Sequence, residues 1–241
     1  MPLRRADLDA LFLDAGNTLV TIDHGLVCEV LGAAGIAASP ATLARAEAAV
    51  RPALSAYLGN GGSSEGRDTF SFYLRGIIMR LGIAAASADA LAPGLVATLK
   101  RDIGTRRLWS QVMPGVPEAL RALRAAGLRL VVVSNSDGTV EEGLTHAGLR
   151  EHLDAVVDSS VVGAEKPDPA IFRHALDLVE APAGRTLHVG DLYAVDVLGA
   201  RGAGLHAVLL DPFADWPALD CPTTPDMPAL ARALLDGKDD T

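Results

Sequence analysis

The second half of the chain alternates short apolar runs with amphipathic segments. Apolar runs typical of buried strands lie at residues 128–138, 152–160, 185–191 and 205–211. Between them, segments such as "GVPEALRALRAAG" and "DPAIFRHALDLVE" repeat apolar residues every three or four positions, which predicts amphipathic helices. A further apolar run at residues 10–14 predicts a fifth strand. Strands that alternate with helices favour a parallel sheet with helical crossovers.

Residues 21–111 show a different pattern, with helical periodicity and no convincing strand. The polar stretch "GNGGSSEGR" at residues 59–67 follows a helical pattern, which indicates a flexible loop and not a phosphate-binding loop. We therefore expect an α/β protein with a Rossmann-like parallel-sheet core, residues 1–20 and 112–241. Residues 21–111 are expected to form an inserted all-helical domain, and the tail from residue 220 a loop, a short helix and a frayed end.

Composition narrows the picture further. The chain has 241 residues, of which 49% are hydrophobic, so it can bury a sizeable core. Its net charge of −9 argues against nucleic acid as a partner. Cys28 and Cys221 fit neither a metal site nor a disulfide framework, which favours a reduced, cytoplasmic setting. The first apolar run is short and interrupted by acids, so we expect no signal peptide and no membrane span. The oligomeric state stays open.

Polar side chains follow several of the predicted strands, at the edge where open parallel sheets bind ligands. Each of these residues has an ordinary structural explanation on its own, as a turn, a cap or a solvated loop residue. Together they indicate a functional site. In chain order they are Asp14, Ser134, Asn135, Lys166, Asp191 and Asp196.

The chemistry of these residue types suits phosphoryl transfer. Asp14 and Asp191 offer the oxygen ligands that Mg²⁺ prefers. Asp14 can also act as a nucleophile and form an aspartyl-phosphate. Ser134, the backbone N–H of Asn135 and Lys166 can hold phosphate oxygens and offset their charge. The expected partner is therefore a small phosphorylated molecule.

With these residues in place, the sequence resembles the haloacid dehalogenase-like (HAD) hydrolases over residues 8–20 and 112–212. Four motifs occur in the family's order: "LFLDAGNTLV", "LVVVSNS", the lysine of "EKPDP" and "GDLYAVD". The helical insertion after the first motif resembles the family's C1 cap, which closes over the site and sorts substrates.

The resemblance implies a role for each matched residue. Asp14 would attack phosphorus and bind Mg²⁺, and Ser134 and Lys166 would hold the phosphoryl group. Thr18 and Asn135 are expected to bind substrate. The metal ligands would be Asp14, the backbone carbonyl of Gly16, Asp191 and the supporting Asp196.

The sequence departs from the family pattern at Gly16, where most family phosphatases carry a second Asp that serves as general acid and base. Losing such a group costs about 10²–10⁴-fold in rate. Asn17 stands where Gly is usual, and Asn tolerates left-handed backbone. Restoring the acid with Gly16→Asp is expected to raise phosphomonoester turnover.

Several functions are compatible with this departure. We favour a Mg²⁺-dependent phosphatase whose substrate has a good leaving group, or whose acid comes from Asp23 or His24. A 2-haloacid dehalogenase needs no acid, but such enzymes need no metal and usually lack the Gly190–Asp191 pair. A phosphonatase would need a Schiff-base lysine, and Lys100 stands too late in the insertion. A binding or regulatory protein with little turnover is the remaining alternative.

Overall fold

The structure, a computed structural model, describes residues 4–62 and 67–236. Its centre is a six-stranded sheet with the order β5-β4-β1-β6-β7-β8, in which every neighbouring pair is parallel. A separate two-stranded antiparallel ribbon joins β2 and β3. The strands are β1 (Ala10–Leu13), β2 (Val20–Thr21), β3 (Gln111–Val112), β4 (Arg129–Ser134), β5 (Ala155–Asp158), β6 (Thr186–Gly190), β7 (His206–Leu210) and β8 (Thr223–Thr224).

Helices lie between and around these strands. Six of them occur between β2 and β3 in the described part of the chain: α1 (His24–Ala33), α2 (Pro40–Ala48), α3 (Arg51–Gly59), α4 (Arg67–Arg80), α5 (Ala85–Val96), which continues as a π-helical segment, and α6 (Thr105–Leu108). The others follow β3: α7 (Val116–Ala125), α8 (Val140–His146), α9 (Ser159–Val162), α10 (Pro169–Val179), α11 (Leu198–Gly202) and α12 (Met227–Leu235).

Strand β1 lies in the middle of the sheet, and all four of its residues are buried. Its side chains alternate between the two faces of the sheet. Leu11 and Leu13 join the apolar cluster that includes α7 and α12, while Phe12 joins the cluster on the other face with α10. Helices on both faces of a parallel sheet confirm the predicted α/β, Rossmann-like fold. The carboxyl ends of β1, β4 and β6 therefore meet at one edge.

The helical insertion, residues 24–108, has an apolar cluster of its own. Leu43, Leu74, Ile77 and Ile78 are fully buried or nearly so within it. At its base, Val20 of β2 pairs with Val112 of β3, so the chain enters and leaves the insertion through adjacent strands. The sequence predicted no strand here, because two-residue strands leave no detectable alternation of apolar and polar positions.

Other differences from the sequence predictions are local. The tail, expected to begin as a loop, contributes Thr223–Thr224 as the edge strand β8 before α12. The predicted loop at residues 59–67 begins at the end of α3, and its residues 63–66 lie outside the described residues, as does the expected frayed end at 237–241. Among the described helices, none combines the length and the apolar character needed to cross a membrane.

Candidate active site

Asp14 is the first residue after β1. Its backbone N–H donates to the carbonyl of Val189 in β6 at 2.8 Å, which continues the sheet pairing by one residue. Its side chain keeps 13% of its surface exposed and lines a cavity between the sheet edge and the helical insertion. The central strand thus carries a carboxylate to the edge of the sheet and into the cavity.

Lys166 pairs with Asp14 from the loop that precedes α10. Its ammonium donates to Asp14 Oδ1 at 2.6 Å and to Asp196 Oδ1 at 2.7 Å, and 1% of its side chain is exposed. Burial opposes the charge on Lys166, but the two carboxylates outweigh burial and raise its pKa. The lysine is therefore a fixed cation beside Asp14.

The side chain of Asn135 holds the backbone of Lys166. The amide N–H of Lys166 donates to Asn135 Oδ1 at 2.7 Å, and Asn135 Nδ2 donates to the Lys166 carbonyl at 2.8 Å. Asn135, predicted to bind substrate, also lines the cavity. It therefore fixes the loop of Lys166 in addition to facing the cavity.

Asp196 lies behind Asp14 and is almost fully buried. Its carboxylate accepts from Lys166, from the ring of His188 at 3.0 Å and from the N–H of Leu192 at 2.9 Å. Burial favours the neutral acid, but the Lys166 charge and the His188 hydrogen bond outweigh it and lower the Asp196 pKa. A Cβ on Gly190 would lie 2.1 Å from the Asp196 carboxyl carbon, so only glycine leaves room for this carboxylate.

The helix predicted around Asp196 begins with a π-helical turn, Tyr193–Val197, before α11. The Asp196 N–H donates to the Leu192 carbonyl at 2.7 Å across this turn. The wider turn, together with the bond from Leu192 to the carboxylate, directs Asp196 back to the sheet edge.

Asp14, Asp191 and Asp196 place carboxylate oxygens within 4.8 Å of one another. Burial is the largest influence on Asp14 and Asp191, and with the nearby carboxylates it raises their pKa values to about 6 and about 8. Lys166 acts against this increase at Asp14, and an arginine of the insertion acts against it at Asp191. Buried carboxylates that lack sufficient positive charge are the donor set that a hard cation prefers.

That arginine is Arg51, the first residue of α3, which the sequence analysis did not place at the site. Arg51 Nε lies 3.4 Å from Asp191 Oδ2, and Arg51 forms a two-bond ion pair with Glu47 of α2 at 3.0 and 2.6 Å. In the ion pairs that the described residues form, the three acids and Glu47 meet two permanent cations, Lys166 and Arg51, so two negative charges are in excess within this cluster when all four carboxyl groups are ionised. This excess equals the charge of one divalent cation, and the residues therefore fit a magnesium ion.

Glu47 joins the insertion to the first loop of the sheet. It accepts from Asn17 Nδ2 at 3.0 Å and from the Tyr73 hydroxyl at 2.9 Å, and Asn17 also donates to Asp191 at 3.2 Å. Asn17 adopts the expected left-handed backbone, with φ of 53°. The sequence signal for Glu47 and Arg51 was their spacing of four on helical segments, but such pairs usually lie on solvated helix faces.

The cavity has a volume of about 200 Å³ and two contrasting sides. Residues at the strand ends form the polar floor: Asp14, Ser134, Asn135, Lys166, Asp191 and Asp196. Apolar residues of the insertion, together with Trp109 directly after α6, form the apolar wall: Leu54, Leu58, Phe70, Tyr73, Leu108 and Trp109. Thr69, Lys100, Thr105 and Arg106 line the cavity beside this wall.

Gly16 lies directly beneath the apolar wall. A Cβ at this position would be 3.2 Å from Cζ3 of the Trp109 ring, which is tighter than an ordinary contact. An aspartate side chain here would therefore press on the ring, which would have to move by a few tenths of an ångström. The expected gain from Gly16→Asp consequently depends on movement of Trp109.

The remaining predicted residues differ in whether they line the cavity. Ser134 lines the cavity, whereas Thr18 is fully buried and is not among the described residues that line it. In its turn, Thr18 donates its N–H to the Ala15 carbonyl, and its hydroxyl has no partner among the described residues. Asp23 caps α1 by accepting from Leu26, and neither Asp23 nor His24 is among the described cavity residues.

Comparisons with known proteins agree with this architecture. The family model of the haloacid dehalogenase-like hydrolases matches residues 8–204. The human haloacid dehalogenase-like hydrolase domain-containing protein 3 is 34% identical over 210 residues, 86% of this chain and 83% of that protein. A plasmid-encoded phosphoglycolate phosphatase of Cupriavidus necator is 39% identical over 100 residues, 41% of this chain and 43% of that protein.

A solved structure with the same fold is that of the L-2-haloacid dehalogenase RSc1362. It superposes with a TM-score of 0.62 at 22% identity, over 94% of this chain and 98% of that one. The α/β fold, the site at its strand ends and the family match together define a hydrolase. The chain belongs to the haloacid dehalogenase-like hydrolase family.

Proposed function

We propose that this chain is a Mg²⁺-dependent phosphatase that acts on a small phosphorylated molecule through an aspartyl-phosphate on Asp14. The observation that carries the proposal is the position of Asp14, whose carboxylate faces the cavity with Lys166 at 2.6 Å and two further acids beside it. The similarity to a phosphoglycolate phosphatase over part of the chain supports phosphate esters as the substrate type.

Asp14, Asp191, the backbone carbonyl of Gly16 and the supporting Asp196 would hold the magnesium ion. When bound, the ion offsets the negative charge of a phosphoryl group and of the acids around it. Lys166 keeps Asp14 ionised and presents a positive charge to the phosphate oxygens. Ser134 and Asn135 line the floor within the same cavity and would orient the phosphoryl group. Thr18, being buried away from the cavity, would act only on the turn that carries Asn17.

We further propose that residues 21–111 act as a cap, with the core formed by residues 1–20 and 112–241. The separate apolar cluster of the helical insertion and its attachment through the β2–β3 ribbon support this division. In this arrangement the cap supplies Arg51 and Glu47 to the metal-binding side and the apolar wall to the substrate side.

Phosphate release from acetyl phosphate and p-nitrophenyl phosphate, with Mg²⁺ or EDTA, tests the proposal. Turnover should require Mg²⁺ and fall by about 10³-fold or more in Asp14→Asn, since the nucleophile is lost. Asp23→Asn makes the same chemical change at a helix cap that asparagine also satisfies, and should keep wild-type activity. Retained turnover in Asp14→Asn would refute the aspartyl-phosphate mechanism.

The second candidate is a 2-haloacid dehalogenase, which is favoured by Gly16 because a departing halide needs no proton. In that reaction the Asp14 carboxylate would attack carbon and form an ester as halide leaves. Chloride release from 2-chloropropionate in EDTA, with no phosphate release from acetyl phosphate or p-nitrophenyl phosphate in Mg²⁺, would establish this function over the phosphatase.

A further inference from the structure

The polar floor and the apolar wall face each other across the proposed reaction centre. In phosphoryl transfer, the leaving group lies opposite the attacking oxygen. Asp14 emerges from β1, and Ser134, Lys166 and Asp191 surround it on the side of the sheet. A group that leaves in line with Asp14 therefore points away from the sheet, toward the apolar wall of the insertion.

Three rings form a row in that wall. The centroids of Phe70 and Tyr73 are 6.1 Å apart, and those of Tyr73 and Trp109 are 6.5 Å apart with planes tilted by 18°. Flat aromatic groups pack favourably on such rings. The cavity of about 200 Å³ is smaller than the roughly 300–1,000 Å³ of sites for drug-sized ligands, which suits a single ring.

Three of the polar side chains near this row are already engaged. The Tyr73 hydroxyl donates to Glu47, the Lys100 ammonium lies 5.0 Å from the centre of the Phe70 ring, and Arg106 pairs with Glu142. A leaving group with several hydroxyls would lose its bonds to water and find few replacements here. Such unpaired polar groups reduce binding strongly. The wall therefore disfavours polyol and sugar phosphates.

Gly16 adds an independent constraint on the leaving group. It provides no proton donor, and the Trp109 ring lies 3.2 Å from where a Cβ at this position would stand. A leaving group must then depart as an anion that water protonates afterwards. Phenolates are much weaker bases than alkoxides, so an aryl phosphate meets this requirement and an alkyl phosphate does not.

We propose that the substrates are phosphate esters of a single aromatic ring, and that the Trp109 indole selects them by packing on the leaving group. This rests on the proposed phosphatase function. A bond forms between an Asp14 oxygen and phosphorus as the bond from phosphorus to the aryl oxygen breaks, and the electron pair leaves with the phenolate. Water then attacks phosphorus, the bond to Asp14 breaks, and the proton of that water passes to the departing phosphate.

Fluorescence tests binding without turnover. The chain has two tryptophans, so Trp216→Phe leaves Trp109 as the only one. Benzylphosphonate with Mg²⁺ should change the Trp109 emission and bind about 10-fold more tightly than methylphosphonate, the value of one aromatic contact of about 1.4 kcal/mol. Equal affinity for the two phosphonates would overturn the proposal.

Turnover supplies the second measurement. The kcat/KM for phenyl phosphate should exceed that for glycerol phosphate by at least about 10²-fold, the low end of what a general acid contributes to an alkyl ester. Trp109→Ala should reduce this ratio by about 10-fold, and Trp109→Phe should largely restore it.

The two measurements distinguish the two possible failures. Similar kcat/KM values for phenyl and glycerol phosphate would overturn the inference and leave the phosphatase function in place. Preferential binding of benzylphosphonate without phosphate release from any ester would overturn the phosphatase function and leave the aromatic preference of the cavity supported.

Discussion

The two sides of the cavity differ in what holds them together: paired charges on the polar floor and apolar packing on the apolar wall. On the polar floor, charged side chains at the carboxyl ends of the strands contact one another directly: Lys166 donates to Asp14 and to Asp196, and the backbone N–H of Leu192 also donates to Asp196. On the apolar wall, helices present rings and aliphatic side chains, and the charged groups of Lys100 and Arg106 stand beside them. In the proposed phosphatase, the floor would hold the reacting charges in place, while the wall would set which molecule can reach them.

The apolar cluster of the insertion is separate from the two clusters that flank the sheet. A change in the wall alters packing within the insertion, whereas a change in the floor leaves a buried charge without its partner. Substitutions in the floor should therefore have larger effects than substitutions in the wall.

Removal of Lys166 should have the largest effect. Lys166→Met leaves Asp14 and Asp196 buried without their shared cation, which costs about 3–5 kcal/mol in the free energy of unfolding. Turnover should fall by about 10²–10³-fold, since a charge that stabilises the transition state is lost. Urea unfolding at pH 7.5 and phosphate release measure the two effects.

Lys100→Met makes the same chemical change on the other side of the cavity and is the matched control. Because Lys100 packs over Phe70 and forms no buried ion pair, its removal should change stability by about 0.5 kcal/mol or less. Equal destabilisation by the two substitutions would contradict the contrast between floor and wall.

Substitutions in the apolar wall of the insertion should have smaller effects on stability than those in the floor, and the Glu47–Arg51 pair of the same insertion should be the exception. Arg51→Met or Glu47→Gln breaks a buried pair and should cost about 3 kcal/mol each, because the remaining charge stays buried. The double variant Glu47→Leu/Arg51→Met should be destabilised by clearly less than the sum of the single changes.

An exposed ion pair serves as the control for this double-mutant cycle. Arg45 and Asp215 join the insertion to the sheet domain at 2.6 Å, but 48% of the Arg45 side chain is exposed. Arg45→Met should therefore cost about 1 kcal/mol or less in urea unfolding. Additive effects at Glu47 and Arg51 would show that their contact contributes little.

The pH dependence of stability should reveal the excess negative charge of the floor. The pKa values of Asp14 and Asp191 are raised to about 6 and about 8, so between about pH 4 and 8 these two carboxyl groups bind more protons in the folded protein than in the unfolded chain, whose Asp pKa is about 3.9. Burial lowers the pKa values of His24 and His188, which acts in the opposite direction below about pH 6.5. In EDTA, the thermal midpoint should therefore fall as pH rises from about 6.5 to 8.

Mg²⁺ should reduce or reverse this fall of the thermal midpoint with pH, because a bound cation favours the ionised acids. Thermal unfolding in EDTA and in MgCl₂ at matched ionic strength measures the difference. In EDTA, Asp191→Asn should weaken the dependence of the thermal midpoint on pH. An unchanged dependence would show that it comes from other groups.

The smallest expected effect concerns Gly16 and Trp109. Gly16→Asp alone should leave glycerol phosphate turnover low, because the new side chain would press on the Trp109 ring. Gly16→Asp/Trp109→Ala should raise it by about 10-fold or more, since the carboxyl can then donate a proton. A full gain from Gly16→Asp alone would show that the ring yields at little cost.

The polar floor was predictable because it follows from topology. Asp14, Ser134 and Asp191 each end or follow a strand, and strands of a parallel sheet deliver such residues to one edge regardless of the loops between them. Lys166 was predicted by its family motif, and its position between two acids gives that motif a physical reason.

The apolar wall was not predictable in the same way. Where Glu47, Arg51 and Trp109 come to lie depends on how the insertion packs on the sheet, and helical periodicity does not record this packing. Thr18 shows that a motif can also mislead. Its position in the first motif suggested substrate contact, but the turn at residues 15–20 buries its side chain in the interior. Periodicity identifies elements, and side-chain contacts between distant elements require the structure.

The β2–β3 ribbon has a consequence for how molecules would pass in and out. Both crossings of the chain between sheet and insertion run through Val20–Thr21 and Gln111–Val112, which makes the ribbon the natural axis of a rotation. Trp109 stands two residues from this axis, and Phe70 lies two rings further along the row. A rotation about the ribbon would therefore displace Phe70 further than Trp109, whose ring lies against Gly16.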